Sequence, residues 1–181
     1  MKVLLCGPYI LDNLGDAALL NAMLAIIKKN NTSTKIVVMC NHPENVAKHF
    51  NLKAVSWFSW KHLVGSVMAM VDSEIIIFGP GGIVEDITGI GIFSGNIPNI
   101  FFIAFFGFIL RKKIIFYAVG VGPISTKYGK FLTKFIFNLS SLITVRDEGS
   151  RRHLLSLGLT KTIHDIADPA FLLELPDTPG P

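Results

Sequence analysis

The chain has 181 residues; half are hydrophobic, only 17% are charged, and the mean hydropathy is +0.51. That composition excludes a disordered tail, a solvated coiled coil and a small disulfide-stapled secreted protein. The formal net charge is +4, and the whole excess falls on residues 111–181. With no long basic run and no zinc-finger spacing, it suits an anionic ligand or membrane surface better than nucleic acid.

Apolar runs of strand length alternate with helix-length segments along the chain. A strand at 2–6 is followed by a helix at 15–29, whose Ala18, Leu19, Ala22, Met23, Ile26 and Ile27 recur at helical spacing. Next come a strand at 35–40 and a short helix at 43–50, begun by Pro43 in its first turn. A short strand at 55–58, a helix at 60–70 and a strand at 74–78 follow, the last running into Gly79-Pro80-Gly81-Gly82. The series closes with a helix at 97–110, a strand at 113–119, a helix at 128–139, a strand at 142–145, a helix at 147–157 and a strand near 163–167.

Strands that are apolar throughout belong in a parallel sheet covered on both faces. The alternation therefore predicts an α/β fold, a doubly wound and mostly parallel Rossmann-like sheet, over residues 1–170. Residues 171–181 are proline-rich and read as the start of a linker.

No residue from Ile87 to Leu110 is charged, and Arg111-Lys112-Lys113 follows. The apolar block proper, 100–110, is too short for a span, which needs about 20 apolar residues. It reads as a buried helix, with contact to a membrane surface as the alternative. The N-terminal apolar run stops at Gly7-Pro8, too early for a signal peptide. The expected location is cytoplasmic, with peripheral attachment at the inner face of a membrane as its extension. Cys6 and Cys40 each end a strand and read as buried thiols, close together if the strands are neighbours.

Ligands of such sheets bind beyond the carboxyl ends of the strands, and the sharp features of this chain stand there. After the first strand, Gly7 and Gly15 flank a loop that opens a helix and lets backbone N–H groups approach an anion. Asn13 and Asp16 could orient a ligand hydroxyl, or could simply hold the turn and complement the helix dipole. The loop is not GxGxxG, and Cys40-Asn41 stand where a ribose-binding acid would end the second strand, which argues against a dinucleotide.

Gly81 and Gly82 make a bend against which a substrate can lie, with Glu85 and Asp86 at its mouth as proton acceptors or as helix caps. Gly120 and Gly122 form another turn at a strand end. Arg146 emerges at the same edge, suited to a carboxylate or phosphate unless it merely pairs with Asp147. Asp168, before Pro169, reads as a turn residue. None of the five histidines has a metal-ligand spacing; His164, beside Asp165, is the best placed as an acid, though a structural role suits it better.

Singly these turns are weak signals, but their order is specific. Asn13-Leu14-Gly15-Asp16-Ala17-Ala18, Gly79-Pro80-Gly81-Gly82 with Asp86, Gly120-Val121-Gly122-Pro123, Val145-Arg146-Asp147 and Asp168-Pro169-Ala170-Phe171 follow one another as in the polysaccharide pyruvyl transferase family, which the chain resembles. Ala17 stands where the family usually has Glu, and Pro80 interrupts the second glycine run.

The resemblance implies the N-terminal domain of a two-domain fold like the GT-B glycosyltransferases. Phosphoenolpyruvate would be the donor substrate, a cell-surface saccharide the acceptor, and a pyruvate ketal the product, with no separate cofactor and no metal. It implies donor contact by Arg146, and acceptor positioning or base duty for Asp86 and Asp16. Asn13, Gly15, Gly81, Gly82, Gly120 and Gly122 would line the substrates. A second domain would be absent from this chain, so little turnover is expected from these residues alone. Competing readings are a non-catalytic sugar-binding or assembly domain, a sugar-nucleotide glycosyltransferase-like domain and, less well supported, an NAD-binding or membrane protein.

Overall fold

A computed structural model of the chain describes residues 1–57, 62–86 and 95–173. The strands are β1 (Lys2–Cys6), β2 (Lys35–Cys40), β3 (Lys53–Ser56), β4 (Ile75–Phe78), β5 (Gly81–Val84), β6 (Lys113–Val121), β7 (Leu142–Val145) and β8 (His164–Asp165). The helices are α1 (Leu14–Asn30), α2 (Pro43–Phe50), α3 (Leu63–Asp72), α4 (Asn96–Ile109), α5 (Lys127–Leu139) and α6 (Glu148–Ser156), and a 3-10 turn, Pro169–Leu172, follows β8.

The strands form one sheet in the order β3-β2-β1-β4-β6-β7-β8, with β5 paired to β6 beyond the end of β4. Every pairing is parallel. Since β4 and β5 flank the same side of β6, they act as one interrupted strand. The order then has the form of the doubly wound fold, with its reversal between β1 and β4.

Side-chain alternation divides the core. Val3 and Leu5 of β1 pack with Leu20, Met23 and Ile27 of α1 and Val46 of α2 on one face. Leu4 and Cys6 join Met70 of α3, Ile100 and Ile103 of α4, Ile136 and Phe137 of α5 and Leu154 of α6 on the other. The same alternation settles the cysteines. Cys6 is level with Met39, so Cys40, one residue on, points to the opposite face, and both thiols are free and buried. Burial pushes both up in pKa, Cys40 to about 12.

Strands β1, β2 and β7 and helix α2 have the ends the sequence predicts. Helix α1 gains a residue at each end, while β3 begins and ends earlier than expected. Phe58 and Trp60, in the expected strand and helix there, lie outside the described residues, as does the expected linker from 174 onward.

Two differences reshape the edge. Gly81 and Gly82 are not a turn ending β4 but the start of β5, where Gly81 lies level with Val119 and Gly82 with Gly120. Likewise β6 continues through Gly120 and Val121. Glycine suppresses the apolar pattern by which strands are read. Here it also lets backbones meet closely: Gly79 has φ +101°, and a Cβ there would collide with the Tyr117 carbonyl oxygen. Past Phe116 the register of β6 against β7 shifts, Ala118 takes φ +48°, and the Thr144 hydroxyl accepts from the Ala118 N–H at 2.8 Å. That bulge re-aims the end of β6 next to the arginine described below.

Candidate active site at the carboxyl edge of the sheet

Three expected residues, Gly82, Gly120 and Arg146, meet where β5, the last residues of β6 and the end of β7 run side by side. Arg146 follows β7 directly, and its guanidinium lies over Gly120. A Cβ on Gly120 would stand 2.9 Å from Nε, 3.0 Å from Nη2 and 3.1 Å from Cζ. Gly82, level with Gly120 on the neighbouring strand, would place a Cβ 3.7 Å from Nη2. Two glycines on adjacent strands thus make a smooth floor for one planar cation, and the arginine side chain keeps 36% of its surface exposed.

Two carboxylates flank it. Asp147 Oδ2 is 3.5 Å from Nε, and Asp168 Oδ2 is 3.6 Å from Nη1. The other oxygen of each acid caps a turn: Asp147 Oδ1 accepts from the Ser150 N–H at 2.7 Å, and Asp168 Oδ1 from the Ala170 N–H at 3.0 Å. Burial alone would raise the pKa of Asp147, but the Ser150 hydrogen bonds and then the Arg146 charge outweigh it and hold the acid below its usual range. The separations exceed an ordinary hydrogen bond. Arg146 thus stands beside Asp147, one of the two alternatives expected for it, at distances that leave its guanidinium donors unconsumed.

The β1 loop reaches the same edge. Asn13 is the N-cap of α1, its Oδ1 accepting from the N–H groups of Gly15 at 2.9 Å and Asp16 at 3.4 Å. Asp16 Oδ2 accepts from the Ile10 N–H at 3.1 Å. Both side chains thus carry out the turn-holding roles weighed above, with Asn13 exposed and Asp16 half-buried. A Cβ on Gly81 would touch Leu19 of α1 at 3.5 Å, so the glycine floor ends against this helix.

Tyr9, which nothing in the sequence singles out, ties the two loops. Its ring covers Gly7, where a Cβ would come within 2.5 Å, and its buried hydroxyl donates to the Gly79 carbonyl. A lone tyrosine three residues past a strand carries no periodic signal.

Asp86 is placed differently from the expectation. It is 6% exposed, and both oxygens accept from the N–H and hydroxyl groups of Ser125 and Thr126 at 2.8–3.1 Å. Burial would raise its pKa, but those donors win and lower it to about 2. A carboxylate with such partners has little affinity for a proton. Its geometry is that of an anchor joining the end of β5 to the start of α5, where Thr126 is the N-cap. Gly122 similarly accommodates protein: a Cβ there would meet the Glu85 side chain at 2.9 Å. His164 lines a cavity with Ser140, Leu142 and Lys161, around the start of β7 and away from Arg146.

A cavity of about 700 Å³ opens at the ends of β2 and β3, where Asn41, Glu44, Ser56 and His62 contribute polar groups. The Asn41 N–H donates to the Pro8 carbonyl at 3.3 Å, so this cavity borders the β1 loop. Among the described residues no three metal-ligating side chains stand together.

Fold and edge together define a doubly wound α/β protein whose strand ends carry an arginine lying over two glycines and flanked by two carboxylates. The family model for polysaccharide pyruvyl transferase matches residues 13–180, nearly the whole chain, from the N-cap of α1 past Asp168. The chain belongs to the polysaccharide pyruvyl transferase family. No curated protein matches it.

Proposed function

We propose that this edge handles phosphoenolpyruvate and a saccharide diol in a transfer that makes a pyruvate ketal. In the balanced reaction an acid protonates C3 of the enol, and one sugar hydroxyl attacks C2 and loses its proton. The second hydroxyl then displaces inorganic phosphate and closes the ring. Donor and diol yield ketal and phosphate, with no redox change.

The carrying observation is Arg146 lying flat over Gly120 beside Gly82, within a chain of this family. A guanidinium that keeps 36% of its side-chain surface exposed can take a carboxylate or phosphate in two parallel hydrogen bonds. The exposed backbone at Gly82 leaves room for the ligand. Asn41, Glu44 and His62 line the cavity at the ends of β2 and β3, three or more strands from Gly120, and offer partners to a part of the saccharide distant from the reacting diol. Asn13 and Gly15 present the start of α1, where the helix dipole favours an anion. In this reading Asp86 and Asp16 position their loops, and the proton-transfer groups lie elsewhere.

The test is acceptor-dependent phosphate release from phosphoenolpyruvate, with donor-induced thermal stabilisation as the binding readout. Arg146→Ala should remove that stabilisation, whereas Arg146→Lys should keep part of it. An unchanged thermal shift in Arg146→Ala would overturn the assignment of Arg146. Stabilisation by sugar nucleotides and not by phosphoenolpyruvate would overturn the donor.

A further inference from the structure

We propose that the outer face of α4 and α5 docks onto a lipid bilayer surface bearing anionic headgroups. The α4 segment carries no charge over its whole length and buries Ile100, Ile103, Ala104 and Gly107 against the sheet. Its other side is apolar as well. Phe108 is 55% and Ile109 57% exposed, and Phe131 on α5 is 65% exposed. A helix apolar all round is normally enclosed by protein or lipid.

From Phe105 on α4 to Phe131 on α5 the rings form a continuous series. Centroids of Phe105 and Phe101 are 5.7 Å apart, Phe101 and Phe135 5.6 Å, and Phe135 and Phe131 6.3 Å. Such mutual packing fixes an aromatic surface, the residue type favoured at a membrane–water interface.

The charge pattern selects the occupant. From residue 87 to residue 146 there are seven Lys or Arg and no Asp or Glu. Lys127, Lys130 and Lys134 stand exposed on α5, and Arg111 is exposed just past α4. A second copy of this chain would bring lysines against lysines with no acid on either helix to pair them. A surface of anionic headgroups meets both features at once: rings enter the interfacial layer and lysines stay at headgroup level. No described helix is long and apolar enough to cross a membrane, so contact would be parallel to the surface.

The whole chain is mixed, without donor or acceptor, with vesicles of phosphatidylcholine alone or containing phosphatidylglycerol, and bound protein is measured by flotation. Binding should require phosphatidylglycerol and weaken as salt rises. Lys127→Glu and Lys130→Glu should each weaken it about fivefold or more. Phe108→Ser combined with Phe131→Ser should abolish it, and the exposed lysine variants keep the test decisive if that pair folds poorly. Equal binding to both vesicles, no binding to either, or insensitivity to the lysine changes would overturn the proposal. So would lipid-free dimerisation that Phe131→Ser dissolves, since the face would then serve a second copy. Arg146→Ala should leave flotation unchanged, so this test fails or succeeds independently of the transferase reading.

Discussion

Arg146 and Asp168 come from different strand ends, yet Nη1 of the arginine lies 3.6 Å from Oδ2 of the acid. The same acid spends its other oxygen on the turn that packs against α1. The guanidinium position depends mainly on the glycine floor, since three of its atoms crowd the space a Cβ on Gly120 would take, while Asp168 adds a nearby negative charge. That division of labour predicts a sign. Asp168→Asn retains a capping oxygen and removes the charge, so an anionic donor should bind about two- to fivefold tighter at low salt. Titration of the donor by thermal shift checks it. Weaker binding at unchanged stability would mean that Asp168 orients the arginine and does not merely oppose the ligand.

Gly120→Ala tests the floor itself. The new methyl would come within 2.9 Å of Nε, but the obstacle is the end of a flexible side chain, which can swing away. Folding stability should fall by less than about 1 kcal/mol. Donor affinity should fall about tenfold, because the cation loses its plane. Loss of stability with intact donor binding would mean that the arginine tolerates displacement.

Much of this edge was legible in the sequence, and the reasons for the rest are physical. The buried parallel strands announce themselves because both faces are apolar: Val3 to Cys6 lie at or below 2% exposure. Arg146 was legible as the charged residue ending such a run. The second half of the β4–β5 strand was not, because Gly81 and Gly82 have no side chains to alternate. Nor could spacing reveal that Asp86 would meet two backbone donors and two hydroxyls from another loop. That partnership depends on β5 pairing with β6, a contact between separate segments. Tyr9 escaped for the same reason.

Asp86 predicts an acid-labile link between β5 and α5. Its folded pKa of about 2 lies below the ordinary carboxylate value of 3.8, so it contributes stability at pH values above about 4. The contribution is lost as pH falls from there through about 2, where the folded carboxylate protonates. Allowing for screening at the rim of the sheet, it amounts to about 1 to 2 kcal/mol. Asp86→Asn should cost a similar amount at pH 7, because its amide would face donors with donors. The stability difference between the two proteins should shrink between pH 4 and pH 2. A difference constant over that range would show that the carboxylate charge is not what holds the start of α5.

Tyr9→Phe isolates the tie between the first two loops. The ring would still cover Gly7, so packing is retained, while the Gly79 carbonyl loses its hydroxyl donor. A buried acceptor left without its partner costs about 1 to 3 kcal/mol, and chemical denaturation should register a loss in that range with an unchanged denaturant slope. Hydrogen exchange locates the effect: amides of the 7–13 loop and of β5 should open sooner, while those of β7 keep their protection. Because Gly79 leads directly into Gly81 and Gly82, loosening here should also reduce donor-induced stabilisation. Faster exchange confined to α5 would instead place the weak point at Asp86, and the two loops would be held by their own backbone ladders.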